Sequence, residues 1–264
     1  MKLTFLGSGT SHGVPMVGCS CRTCQSTDPR DNRTNASLLI EARGRNVLID
    51  CGRDFRQQAL RHRLERVDYL LLTHTHFDHI AGIDDLRVFN RHGEPIPVFG
   101  NQAHLNYLKT YIYHYLFDPA IQRGGGITEL DLVAVNERFL LEGLLFETLP
   151  AFHGAIEVFG YKFGGSAYLC DVSFVPKPTL QKLYNLDLLV LGALRHTPHP
   201  THFNLVQALE LVAEVKPRRV FLTHLCHDVL HSEVEASFRE PDSPYFAPGA
   251  GEVHLAYDGL TLEI

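Results

Sequence analysis

Four side chains able to bind a metal ion fall within six positions at His74-Thr75-His76-Phe77-Asp78-His79. The apolar run before them, residues 67–73, reads as a strand, and strand alternation points His74 and His76 to one side. A turn immediately afterwards brings Asp78 and His79 round to a neighbouring position, which serves two ions rather than one. Imidazole and carboxylate suit zinc and other first-row divalent ions, which in a catalytic site take about four ligands and keep a place open for water. Three more candidates follow singly: His153 after the run 146–150, Asp171 after Tyr168-Leu169-Cys170, and His224 after residues 220–223. Each sits just past a strand, so the loops at one edge of a sheet assembly can gather them. An ordinary hydrogen-bonded histidine is the simpler reading of His153 or His224 taken alone. Applied to the six-residue cluster, that reading would bury several imidazoles together without a purpose.

A second group of soft ligands stands near the N-terminus. Cys19, Cys21 and Cys24 form a C-x-C-x-x-C cluster in a glycine-rich loop, spacing suited to a structural zinc that lacks only its fourth ligand. His227 lies three residues after His224, so one loop can send His224 to the catalytic pair and His227 to the cysteines. A reduced, metal-free thiol cluster is the competing reading.

These residues need a scaffold, and the strand signals supply it. Residues 2–6, 37–41, 46–49 and 69–72 read as the first half of a sheet system, and residues 98–99, 145–149, 161–163, 167–169, 188–191, 220–222 and 253–256 as the second. Helical spacing of apolar residues marks 56–66 and 204–215, the latter with Asn204 as cap and Pro217 as stop. Two sheets with outer helices are the simplest burial for so many strands, within one domain spanning residues 1–264. The stretch 103–126, with several aromatics and Gly124-Gly125-Gly126, reads as a helix followed by a loop, either a lid or substrate wall or a plain surface insertion.

Composition narrows the function. Of 264 residues, 45% are hydrophobic and 20% charged, the balance of a globular protein, and no apolar stretch is long enough to span a membrane. The N-terminus has no secretory apolar core, so a cytoplasmic location with reduced thiols is expected. A formal charge of −6 offers polyanions no general attraction. Bulk nucleic-acid binding is disfavoured, and a phosphate-bearing substrate must be held by a local cation or metal.

The order His-x-His-x-Asp-His, then an isolated His, an Asp and a final His, resembles the metallo-β-lactamase superfamily over nearly the whole chain. The resemblance implies an α/β fold, a four-layer αββα sandwich. In it His74, His76 and His153 hold one metal, Asp78, His79 and His224 the other, and Asp171 bridges them. Asp50, in Ile49-Asp50-Cys51-Gly52, matches the family's early aspartate, which supports the ligands from behind. His76 separates the chain from flavodiiron relatives, which carry a carboxylate there. His79 separates it from some true β-lactamases, which carry Arg.

Within that superfamily the chain resembles the PhnP-type cyclic phosphodiesterases. The shared features are the Leu6-Gly7-Ser8-Gly9-Thr10 opening, Gly13-Val14-Pro15, the cysteine loop, and Thr223-His224-Leu225-Cys226-His227. This resemblance implies two catalytic ions, zinc or manganese, one structural zinc, a homodimer and a small cyclic phosphodiester as substrate. It makes Asp78, among the ligands, and His202, as proton donor, the candidate catalytic residues. The stretch 104–132 is longer than in the phosphonate-metabolising enzymes, and Arg195-His196-Thr197-Pro198-His199 has no assigned counterpart. An RNase Z-like RNA phosphodiesterase, a thioester or lactone hydrolase and a metal-stabilised binding module without turnover are the alternatives.

Overall fold

A computed structural model describes residues 1–90, 94–122, 126–247 and 251–264. Its strands, in chain order, begin with β1 Lys2–Gly7, β2 Ser37–Ala42, β3 Arg45–Ile49, β4 Tyr69–Leu71, β5 Ile96–Gly100, β6 Leu130–Ala134 and β7 Arg138–Leu141. They continue with β8 Leu144–His153, β9 Ile156–Phe163, β10 Ser166–Leu169, β11 Leu188–Gly192, β12 Arg219–Thr223, β13 Glu252–Leu255 and β14 Thr261–Glu263. Among the described residues they form two seven-stranded sheets, ordered β14-β1-β2-β3-β4-β5-β6 and β13-β12-β11-β10-β9-β8-β7. Each sheet joins an antiparallel part to a parallel part, the change falling at β3 in the first and at β10 in the second.

Alternation along the strands explains the layers. Leu38 and Ile40 of β2, Val47 and Ile49 of β3, Leu188 and Val190 of β11, and Phe221 of β12 share one core that lies between the sheets. Their neighbours Leu39 and Leu48 pack instead into a core with Phe55, Ile80 and Leu105, which lie on α1 Phe55–Arg61, α2 Phe77–Ile80 and α3 Gln102–Tyr107. On the far side, Leu189, Leu191, Val220 and Leu222 meet Leu183, Leu209, Val212 and Val234. After the short α4 His114–Phe117, these come from α5 Lys177–Leu183, α6 Leu205–Val215 and α7 His231–Ser237. Strands buried on both faces read as unbroken apolar runs, which is why the sequence marks β4, β11 and β12 so clearly. Three cores between four layers give the αββα sandwich expected from the sequence.

Several boundaries differ from the sequence reading. The helix expected over 56–66 ends at Arg61, because Arg63 adopts a left-handed φ of 51° and Leu64 turns back to donate to the Ala59 carbonyl. Strands β6, β7 and β14 carried no expectation, since only part of each face is buried. Helix α6 starts where expected, with a reciprocal cap: Gln207 N donates to Asn204 Oδ1 at 2.9 Å and Asn204 N to Gln207 Oε1 at 3.1 Å. In the 103–126 stretch, α3 runs into a π-helical turn, Leu108–Ile112, and then into α4. Of the three-glycine turn, Gly124 and Gly125 lie outside the described residues.

Candidate metal centre

The C-terminal ends of parallel strands all open on one edge, and the sequence places its ligand candidates there. His74 follows β4 by three residues, Asp171 follows β10 by two, and His224 follows β12 directly. His153 ends β8 and pairs with Ile156 across a hairpin. Asp78 and His79 sit on α2, whose four residues fold back over the β3 loop through a bond from Cys51 N to the His79 carbonyl, 2.7 Å. That approach requires Gly52, where a Cβ would stand 2.0 Å from the Asp78 carbonyl oxygen.

Two groups result. His74, His76, His153 and Asp171 place one ligand atom each within 4.8 Å of one another, and so do Asp78, His79, Asp171 and His224. Asp171 belongs to both. Its Oδ2 lies 3.8 Å from His74 Nε2 and 3.5 Å from His79 Nε2, and its Oδ1 lies 3.2 Å from His224 Nε2. Asp78 Oδ2 is 3.4 Å from His79 Nε2 and 3.5 Å from His224 Nε2.

The far side of three of the rings is fixed by protein. His79 Nδ1 donates to Asp50 Oδ2 at 2.7 Å, and His153 Nδ1 donates to the Thr201 carbonyl at 2.6 Å. Thr73 Oγ1 gives its proton to Asp50 Oδ2 at 2.8 Å and can therefore accept from His74 Nδ1 at 3.0 Å. Such bonds set the tautomer and leave Nε2 as the lone-pair nitrogen. Asp50 and His224 both hold φ of 60°, a left-handed conformation that costs about 1–3 kcal/mol and persists where the surroundings fix it.

The chemistry of this donor set fits metal ions. His74 Nε2, His79 Nε2 and Asp171 Oδ1 are buried and without hydrogen-bond partners. Protein interiors rarely leave such atoms unpaired. Burial pushes His74 well below its ordinary pKa, into the neutral form that ligates. Burial opposes charge on His79 too, yet the carboxylates of Asp171, Asp50 and Asp78 hold it well above its ordinary value. Three carboxylates thus demand positive charge, and no lysine or arginine among the described residues hydrogen-bonds or ion-pairs with Asp50, Asp78 or Asp171.

His202 enters the same pocket, its ring centroid 4.4 Å from that of His153 and 5.1 Å from that of His224, with Nδ1 4.0 Å from Asp171 Oδ2. Burial pushes it down to about 3, aided by His224, His153 and His199 against the pull of Asp171.

The cysteine cluster assembles as a separate group. Cys19, Cys21, Cys24 and His227 place their ligand atoms within 4.8 Å of one another, with His227 Nδ1 3.3 Å from Cys19 Sγ and 3.4 Å from Cys21 Sγ. The backbone N–H of Cys24 and the His227 ring pull the Cys21 thiol down to about 6, while burial pushes Cys24 up to about 11. All six cysteines are free thiols.

Sequence reasoning missed several supports. Arg33 is fully buried, paired with Asp31 at 2.9 Å, and donates to the Cys226 carbonyl at 3.1 Å, which ties the N-terminal loop to the 224–227 loop. Thr73 relays Asp50 to His74; its only sequence signal is its place before the motif. Within Arg195–His199, His196 joins Tyr245 Oη at 2.6 Å and the Asp228 carbonyl at 2.9 Å, while His199 lies beside His202 with ring centroids 5.0 Å apart.

Comparison with known proteins follows the same lines. A model of the β-lactamase superfamily domain matches residues 45–225. The crystal structure of a new diphosphatase from the PhnP family is 37% identical, with a TM-score of 0.88 over 100% of this chain and 97% of that one. Zn²⁺-bound PqqB from Methylobacterium extorquens shares the fold, with a TM-score of 0.76 over the whole of both chains at 20% identity. An octanoyltransferase of Porphyromonas gingivalis is 37% identical over 262 residues, 98% of this chain and 51% of that protein. A ribonuclease Z of Bradyrhizobium diazoefficiens is 41% identical over 86 residues, 32% of this chain and 23% of that protein. The chain thus spans about half the length, or less, of these curated relatives.

Proposed function

The chain belongs to the β-lactamase superfamily and, within it, to the PhnP family; from that premise we propose that it is a metal-dependent hydrolase of small phosphodiesters, with a ring-closed sugar or nucleoside phosphate as its substrate class. The observation that carries this reading is the convergence of buried, unpartnered His74 Nε2, His79 Nε2 and Asp171 Oδ1 on one pocket. His74, His76, His153 and Asp171 would hold one divalent ion, and Asp78, His79, His224 and Asp171 the other. Ions of this kind supply a water of lowered pKa and positive charge for phosphoryl oxygens, which answers the net charge of −6.

The chain's own residues set the geometry. Asp171 fixes the spacing of the two groups because it belongs to both. Asp50 orients His79 directly and His74 through Thr73. His202 stands beside the pocket to protonate the departing oxygen. Burial works against its proton, and the negative charge of an incoming phosphodiester works for it. Cys19, Cys21, Cys24 and His227 would hold a structural zinc that ties the N-terminal loop to the rim carrying His224. Six unpaired thiols suit a reducing, cytoplasmic compartment.

A second reading is hydrolysis of a diphosphate, favoured by the activity named for the 37% identical structure. The same ligands would serve it. Octanoyl transfer is not carried over: that name belongs to a protein about twice this length. The zinc-loaded and manganese-loaded protein should be assayed on a ribose cyclic phosphate, a nucleoside diphosphate, a linear phosphodiester and a thioester. Preference for the cyclic phosphate supports the first reading and preference for the diphosphate the second. Cleavage of the thioester alone would overturn both.

A further inference from the structure

Beside the metal centre lies a cavity of about 670 Å³ whose lining includes His76, Asp78, Phe77, Tyr107, Ile112 and Ile156. Two of these are ligand candidates, so the cavity opens directly on the place where a phosphoryl group would sit. The other four come from separate elements: Phe77 from α2, Tyr107 from the end of α3, Ile112 from the π-helical turn, and Ile156 from the start of β9. Phe77 is 66% exposed and Tyr107 47% exposed, large aromatic rings facing an open space. Among the described residues no lysine or arginine lines the cavity.

His104 holds the wall in place. Its Nε2 donates to the Glu157 carbonyl at 2.8 Å and its Nδ1 shares a hydrogen bond with Thr75 Oγ1 at 3.1 Å, so one ring ties α3 to the metal loop and to the β8–β9 hairpin. Asn101 Nδ2 adds a bond to Glu157 Oε1 at 2.9 Å. The wall is therefore built, and the π-helical turn within it is a geometry that recurs at functional sites.

We propose that this cavity is a subsite for the uncharged, planar aromatic part of the substrate, a nucleobase, stacked on Phe77 and Tyr107 while its phosphodiester lies over His76 and Asp78. The identification rests on reading the centre as a phosphodiester-cleaving one. Among the described residues no lysine or arginine stands in the lining to pair with a second phosphate, and exposed aromatic rings suit a π-system better than a flexible chain. Stacking of a base on an aromatic side chain tolerates any base, so the subsite selects for a base over none rather than for one base over another.

The test compares adenosine 2′,3′-cyclic phosphate with the base-free cyclic phosphate of glycerol. The ratio of their kcat/KM values should fall by about 5- to 150-fold in Phe77→Ala, the range that stacking of one base supplies. Phe77 lies between two ligand candidates, so Tyr107→Ala, on a separate helix, should lower the same ratio. An unchanged ratio in both variants would overturn the subsite. Binding without turnover separates this failure from failure of the enzymatic reading. Chelator-treated wild-type protein should transfer saturation to the base protons of adenosine in an NMR experiment, and Tyr107→Ala should lose that signal. Absence of transfer in the wild type, persistence in the variant, or transfer to octanoate in place of adenosine would each contradict the proposal, whether or not any phosphodiester is cleaved.

Discussion

Asp50 Oδ2 stands 2.7 Å from Nδ1 of His79, both side chains fully buried, so the opposite nitrogen of that ring is left facing Asp78 and Asp171. The same carboxylate receives Thr73 N at 2.9 Å and Thr73 Oγ1 at 2.8 Å. One residue that touches neither group of ligand atoms therefore fixes two of the histidines.

Asp50→Asn keeps the shape but removes the charge that orients His79. Metal affinity at the histidine-aspartate centre should fall by about 10–100-fold, as for other partners of metal-bound histidines. Competition with a chromogenic chelator measures this. Affinity equal to that of the wild type would remove Asp50 from its supporting role.

Asp171→Ala should abolish turnover, because the carboxylate common to both groups is lost. Metal content should drop below that of the wild type at the same time. Near-normal activity with a full complement of ions would show that the carboxylate does not set the spacing.

His202→Ala should slow a ribose cyclic phosphate by roughly 10²–10⁴-fold, the usual contribution of a general acid. A nitrophenyl phosphodiester, whose leaving group is stable as an anion, should be affected much less, with metal content unchanged. Equal loss on both substrates would assign His202 to positioning instead, and loss on neither would leave it a packing residue.

A pH dependence of stability is expected away from the site. His254 Nδ1 lies 2.6 Å from Glu235 Oε1, and Glu235 Oε2 accepts from Leu255 N at 2.7 Å. The bond to Glu235 raises the His254 pKa, and although burial opposes the change, the His254 and Leu255 donors lower that of Glu235. The histidine's contribution is complete below its unfolded pKa of about 6.5 and fades as pH rises through the folded value. The glutamate's is complete above its unfolded pKa of about 4.3 and fades as pH falls through the folded one. The stability difference between wild type and Glu235→Gln should therefore peak between about pH 4.5 and 6.5, as read by urea unfolding across pH. A difference that grows steadily above pH 7 would contradict the pairing.

The sequence exposed the centre so fully because its parts are chemically conspicuous. His74, His76, Asp78 and His79 crowd six positions, and His153, Asp171 and His224 end or follow apolar runs, two of them, β10 and β12, buried on both faces. The supports were illegible because their signal is spatial. Arg33 reads as an ordinary charged residue until its contact with the Cys226 carbonyl, 193 positions away, is seen. His104 has no periodicity to mark it, and Phe77 is a motif's variable position until its exposure beside Tyr107 gives it a face. Short elements escaped for a related reason: α2 has four residues and β14 three, too few to develop a pattern.

The most direct test is to titrate metal-free protein with zinc or manganese while following ion stoichiometry and hydrolysis of adenosine 2′,3′-cyclic phosphate together. Three ions per chain should bind, one lost selectively in Cys21→Ser together with a fall in melting temperature, and hydrolysis should appear only as the two other sites fill. Hydrolysis undiminished in chelator, or full occupancy of the histidine-aspartate sites with no phosphodiester or diphosphate cleaved, would contradict the account.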